Sequence, residues 1–227
     1  MSLILSIETA TRTCSVAVHE NGTLLAACSY YLDKSHSNLL VPSIKSLVAD
    51  CGYEQNALSA VAISMGPGSY TGLRIGTSTA KGLCFALDIP LIAINTLEAL
   101  AYGVSRYNTE GQWLCPMLDA RRMEVYTMLL DDHFRIVEET HPQVVEPSSF
   151  DDHLNARSIL FFGNGADKCR KIIQNSNARF LDHVEPNASE VGYLAWQKFQ
   201  KTQFEDLAYF EPFYLKEFQA TKPKVKI

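Results

Sequence analysis

The 227-residue chain lacks any apolar run near the roughly 18 residues that a bilayer-crossing helix requires. None of its six cysteines (Cys14, Cys28, Cys51, Cys84, Cys115 and Cys169) forms a C-x-x-C pair, and most sit in apolar runs. Reduced, buried thiols are therefore expected. Positive charge is not in surplus: 20 Lys and Arg stand against 25 Asp and Glu, a net charge of −5. Affinity for nucleic acid rests on neutralising phosphates, so the chain is not built to hold RNA unaided. It could belong to an assembly whose other members supply the positive charge. No Gly-Lys-Ser/Thr follows a glycine loop, so there is no P-loop. Of the six histidines, His19, His36, His133, His141, His153 and His183, no two lie four apart. A paired-histidine metal site on one helix face is thereby excluded. His36, at a helix start among serines, reads as a capping or solvent-exposed residue, and no nucleophile triad can be argued from spacing. The opening MSLILSIETA is interrupted by Glu8 and has neither a basic flank nor a cleavage site, so no signal peptide is expected. These absences point to a soluble cytoplasmic protein with no membrane partner.

What is present is an ordinary globular composition, 47% apolar and 20% charged, long enough for a substantial core. Short apolar runs at 3–8, 14–18 and 23–30 read as strands, with Asn21-Gly22 as a hairpin turn. Leu40, Ile44, Leu47, Val48 and Cys51 recur at helical spacing over 36–51. A strand at 60–65 enters a glycine loop and a helix ending near Leu87; a strand at 91–95 and a helix capped by Thr96 follow. The pattern then restarts: strands at 113–119, 122–130 and 134–145, a short helix after Pro147, and a strand at 159–163. A helix at 166–175, a strand at 178–181 and a helix at 188–203 complete it. The order β-β-β-α-β-α-β-α thus occurs twice without a residue-level repeat. The expected architecture is α/β, two stacked domains covering 1–100 and 101–227, with a basic, aromatic tail.

This element order resembles that of the actin-like ATPase (ASKHA) superfamily, in which the first hairpin of each half holds phosphates. In SIETATRTCSVAV, Glu8, Thr9, Thr11 and Thr13 occupy the first such hairpin and Asp119 the matching place in the second half. The segment FFGNGADK, with Gly163 and Gly165, matches the adenosine site of that superfamily. Both stretches read equally as plain turns, so a weak ATP or ADP site is the most they allow, and no cofactor is expected.

The stretch MGPGSYTGLRIGTSTAKGL resembles the signature of the TsaB (YeaZ) family, which acts in placing threonylcarbamoyl on the adenosine beside the anticodon of certain tRNAs. ILSIETATRTCSVAV, SHSNLLVPSI, MLDARRMEVYTMLL and PFYLK agree, so the likeness runs the length of the chain. It implies a non-catalytic paralogue of TsaD, with no catalytic residue and no metal. It also implies a heterodimer with TsaD, a small ATPase TsaE in the same assembly, and a homodimer when TsaD is absent. tRNA is met only within the complex, and the tail lysines Lys216, Lys222, Lys224 and Lys226 either touch its phosphates there or are simply solvated.

Gly72, Gly76, Thr79, Ala80 and Leu83 share one face of the helix after the glycine loop, a spacing that admits close approach of the 36–51 helix. Its apolar arc spans about half the circumference, where one buried side needs only slightly over ~100°. Phe85 stands apart beside Arg74, Ser78 and Lys81. Either the arc is covered internally, by the strand layer or the 97–107 helix, or it meets a partner. The family resemblance favours a docking face with Leu39, Gly72, Leu73, Gly76, Ala80, Lys81, Cys84 and Phe85. A rival class, a small-molecule kinase or ATPase working in an interdomain cleft, would need Glu8 or Asp119 to hold Mg²⁺ and position water.

Overall fold

Leu3–Glu8 (β1) is LILSIE, buried along its whole length, as expected of a strand covered on both faces. A computed structural model describes residues 1–32 and 36–216. Cys14–Glu20 (β2) is buried too, whereas Thr23–Tyr30 (β3) alternates exposed and half-buried positions, the mark of an edge. Between β2 and β3, Asn21 and Gly22 take φ of 48° and 81°, which these two residue types tolerate. His36–Asp50 (α1), Ala60–Gly66 (β4), Tyr70–Leu87 (α2), Leu91–Asn95 (β5) and Thr96–Ser105 (α3) complete the first half. The second half runs Trp113–Asp119 (β6), Glu124–Leu130 (β7), Ile136–Val144 (β8), Asp151–Leu154 (α4), Ile159–Phe162 (β9), Ala166–Cys169 (α5), Ala178–Leu181 (β10) and Ala188–Gln200 (α6).

The first sheet has the order β3-β2-β1-β4-β5 and the second β10-β9-β6-β7-β8, the same order read from the other edge. In each, two antiparallel neighbours lie on one side of the central strand and two parallel ones on the other. The doubled α/β architecture expected from the element order is therefore present.

The layers interlock. α1 and α2 cover the outer face of the first sheet through Leu40, Ile44, Leu47, Ala80 and Cys84 against Leu5, Ile7, Val16 and Ile63. α3, which leaves the first sheet, lays Leu97, Leu100 and Val104 on Leu114, Leu118, Leu130 and Phe162 of the second. α6, which follows the last strand of the second sheet, packs Val191, Leu194 and Ala195 on Ile4, Ala60, Ile92 and Ile94 of the first. A fourth cluster fills the far side of the second sheet around Phe150, Leu154, Ile159 and Phe161.

Two expectations need correction and a third needs extending. α3 is capped by Asn95, not Thr96: the Asn95 side chain accepts hydrogen bonds from the backbone N–H groups of Leu97 and Glu98 at 2.9 and 3.3 Å. The Thr96 hydroxyl is occupied, 2.6 Å from Ser64 Oγ. The 166–175 helix stops at Cys169, because the chain beyond turns to bury Ile173 and half-bury Ile172 in the cluster around Phe161. The strand layer, one of the candidates named above, meets the wide apolar arc of α2 at Ala80 and Cys84, and the C-terminal segment, which was not among them, covers a further part. Leu207 and Phe210 pack into the same cluster as Ile75 and Leu83, and Phe213 donates its N–H to Met65 O at 2.8 Å.

Candidate functional site

Glu8 ends β1 and is fully buried at the first hairpin. Its Oε1 accepts the Ala10 N–H at 2.5 Å, and its Oε2 has no partner. Burial, partly opposed by backbone hydrogen bonding, raises its pKa from 4.5 to about 7. Thr9 and Thr13 are also fully buried with unpartnered hydroxyls, and Thr11 Oγ1 accepts the Thr13 N–H at 3.2 Å. His36 is not solvent-exposed: at the start of α1 it is buried and donates from Nε2 to Thr13 O at 3.2 Å, pinning the same turn.

The hairpin is pressed onto α2. A methyl on Gly72 would stand 2.1 Å from Thr9 O, and one on Gly76 would stand 2.3 Å from Thr9 Oγ1. The expectation that these glycines admit the 36–51 helix is therefore corrected: what they admit is the backbone of the first hairpin. Gly68 joins them, its N–H-bearing neighbour Ser69 donating to Ala10 O at 2.6 Å. Ser69 then caps α2 by accepting the Gly72 N–H. The signature stretch thus turns sharply, caps its helix, and closes over Glu8.

Among the other residues proposed for a docking face, Leu73, Ala80 and Cys84 are buried in the chain's own core. Lys81 is spent on the C-terminal segment, donating to Phe210 O at 3.1 Å and Ala208 O at 3.3 Å. Leu39 is half-buried. Phe85, by contrast, is 83% exposed on α2, and Val41 on α1 is 56% exposed.

The second nucleotide-like set gathers at the β6 end of the other sheet. Asp119 N donates to Asn164 Oδ1 at 2.9 Å, and Asp119 Oδ1 accepts the Arg121 N–H at 3.0 Å and pairs with Lys168. Gly163, at φ 96°, has no room for a side chain: its Cβ would lie 2.4 Å from Met117 O. A Cβ on Gly165 would lie 2.8 Å from Leu118 C in the Leu118–Asp119 peptide, so both glycines serve the contact of this turn with β6. α5, only four residues long, offers little dipole to an anion. The Glu8 and Asp119 sets sit on different sheets.

Sequence reasoning missed two features. Lys168 braces the second hairpin through Arg122 O at 2.9 Å and Glu124 O at 2.6 Å, a long-range link no local pattern signals. A groove of about 880 Å³ runs beside α3 and the 181–190 segment, lined among others by Arg12, Tyr107, Arg179, Glu185 and Glu190. The tail residues Lys222, Lys224 and Lys226 lie outside the described residues, while Lys216 pairs with Glu124. Among the described residues no three His, Cys, Asp or Glu side chains gather as a metal site would require, and no helix is long and apolar enough to cross a membrane.

Comparison with known proteins agrees with this geometry. Residues 31–224 match the family model described as TsaD, tRNA N6-adenosine threonylcarbamoyltransferase. The tRNA threonylcarbamoyladenosine biosynthesis protein TsaB of Bacillus subtilis is 33% identical over 203 residues, 86% of this chain and 87% of that protein. The TsaB protein of Haemophilus influenzae is 27% identical over 94% of this chain and 93% of its own length. The solved structure of YeaZ from Pseudomonas aeruginosa superposes with a TM-score of 0.80 at 27% identity, covering 95% of this chain and all of that one. At the level of fold alone, the ADPNP-bound activator of 2-hydroxyisocaproyl-CoA dehydratase from Clostridium difficile matches with a TM-score of 0.50 at 12% identity, covering 89% of this chain and 96% of that one. With the signature loop, the doubled sheet order and near full-length similarity in agreement, the chain belongs to the TsaB (YeaZ) family of tRNA threonylcarbamoyladenosine biosynthesis proteins.

Proposed function

We propose that the chain is a non-catalytic subunit that docks TsaD and supports its transfer of threonylcarbamoyl to tRNA adenosine. TsaE joins the same cytoplasmic assembly, and two copies of the chain pair when TsaD is absent. The observation that carries this reading is the state of the first hairpin. Glu8, the carboxylate an actin-like ATPase would offer to Mg²⁺ at this place, is buried and half-protonated near pH 7. Its turn is filled by contact with Gly72 and Gly76 rather than left open for a phosphate. The exposed Phe85 supports the docking half of the reading, because a large side chain 83% in water on an otherwise well-packed helix is the kind of anchor that interfaces bury. The proposed docking face is accordingly Phe85, Val41 and the exposed edges of α1 and α2, with Leu39 at its margin. Leu73, Ala80 and Cys84 set its shape from beneath.

Reconstitution tests this. TsaD and TsaE from the same organism, supplied with threonylcarbamoyl adenylate and unmodified tRNA, should modify the tRNA only when the chain is added. The isolated chain should not turn over ATP. Stoichiometric ATP hydrolysis by the chain alone, lost in Glu8→Gln, would make it an enzyme instead.

A further inference from the structure

We propose that the tip of the β6–β7 hairpin, Arg121 with Arg122, contacts the phosphate backbone of tRNA in the assembly; this rests on the function proposed above. Both residues hold positive φ, 69° and 51°, a region that L-residues with a Cβ enter at a cost and that Gly and Asn enter most readily. Nothing in the packing rewards arginine here, since both side chains are exposed. Among the described residues no carboxylate lies within ion-pair distance of either guanidinium.

The neighbouring acids are already neutralised. Asp119 pairs with Lys168 and Glu124 with Lys216. The tip therefore projects two uncompensated positive charges from a chain whose net charge is −5. It also projects them from a fixed base. The Lys168 ammonium binds the carbonyls of Arg122 and Glu124, the Asp119 carboxylate holds the Arg121 N–H, and Lys216 lies 5.9 Å from the centroid of the Tyr126 ring. Paired guanidinium groups match phosphate oxygens in geometry as well as charge. The partner is an extended polyanion rather than a free nucleotide, because the tip is a projecting turn and the groove beside α3 is lined elsewhere. A small anion would find no walls to desolvate it, whereas a tRNA held by the other subunits can be laid across such a tip.

The test uses the full chain assembled with purified TsaD and TsaE, with binding of an unmodified tRNA transcript followed by fluorescence anisotropy from low to high salt. Arg121→Asn combined with Arg122→Gly removes both charges while suiting the backbone, so the fold should melt no earlier than wild type. If each arginine neutralises one phosphate, the slope of log affinity against log salt should fall by roughly 2 × 0.9. That corresponds to roughly fivefold per contact, or about thirtyfold together, at 0.15 M salt. Arg121→Lys with Arg122→Lys should keep the slope. Complexes that form normally and bind tRNA with equal affinity and slope in both variants would overturn the inference alone. ATP that displaces tRNA from the wild type but not from the Asn-Gly variant would also overturn it, making the tip a nucleotide site. A wild-type chain that forms no complex would overturn the reading beneath it, and this inference with it.

Discussion

Two glycines on one helix should respond to alanine in opposite directions. Gly82 is exposed in the middle of α2, with nothing within 4 Å of the position a Cβ would take. Alanine there relieves the backbone entropy of glycine and should stabilise by up to ~1 kcal/mol. Gly72 has Thr9 O at 2.1 Å from the same point, and that oxygen belongs to the backbone of the turn that buries Glu8. It cannot swing aside, so the hairpin must move off the helix. Overpacking of this kind costs about 1–3 kcal/mol. For a chain of this size each kcal/mol moves the melting temperature by about 2–4 °C. Gly82→Ala should therefore gain up to about 2–4 °C, and Gly72→Ala should lose up to about 10 °C. Gly76 separates carbonyl from hydroxyl, since its nearest neighbour is Thr9 Oγ1 at 2.3 Å. Thr9→Ala should therefore rescue Gly76→Ala and leave Gly72→Ala unrescued. Thermal melts of the single variants and the two double variants decide the matter. Equal melting of Gly72→Ala and Gly82→Ala, or rescue of both or neither by Thr9→Ala, would refute the packing argument for the signature loop.

Glu8 should make stability depend on pH. Its pKa is raised by burial from 4.5 to about 7 in the folded chain, so the folded state holds the proton more tightly than the unfolded one. The associated stability is fully present below about pH 4.5 and is lost as pH rises to about 7, a change of about 3 kcal/mol. Denaturant midpoints of wild type and Glu8→Gln should accordingly diverge in the variant's favour between pH 5 and pH 8, and a pH-independent difference between them would contradict the assignment. Lys81→Met removes the two hydrogen bonds that hold Ala208 and Phe210 across α2. Hydrogen exchange should rise across residues 205–214 while α6 stays protected; unchanged exchange there would mean that the packing of Leu207 and Phe210 and the backbone bonds of Glu205 and Phe213 to Leu91 and Met65 hold the strap without Lys81.

The doubled order of strands and helices was legible because the central strands are short, mostly apolar runs, as in LILSIE and AVAISM, and several turns carry their own signal, as at Asn21-Gly22, though the Arg121-Arg122 turn does not. What local patterns could not reveal is how the halves trade helices. α6 reads as amphipathic from its own sequence, yet nothing in that sequence names the first sheet as the surface it covers. The same limit applied to the signature helix. Its small residues were visible, but whether they admit a helix or a hairpin backbone depends on where Thr9 lies, and Thr9 is more than sixty residues earlier. Likewise the segment around Phe210 shows no period, because it is held by Lys81 and Met65 rather than by a repeat of its own. The carboxylate at the first hairpin was found from its position, but its burial and raised pKa come from the tertiary contacts that enclose it.

Calorimetric titration of the chain into TsaD, wild type beside Phe85→Ala, tests the docking role most directly. Phe85 is 83% exposed, so its removal should leave the melting temperature within about 1–2 °C of wild type. Loss of a buried aromatic anchor costs an interface about 2 kcal/mol or more, a drop in affinity of roughly thirtyfold. Unchanged affinity for TsaD with an unchanged melt would place the docking face elsewhere on the chain, and no measurable binding by the wild type would contradict the docking role itself.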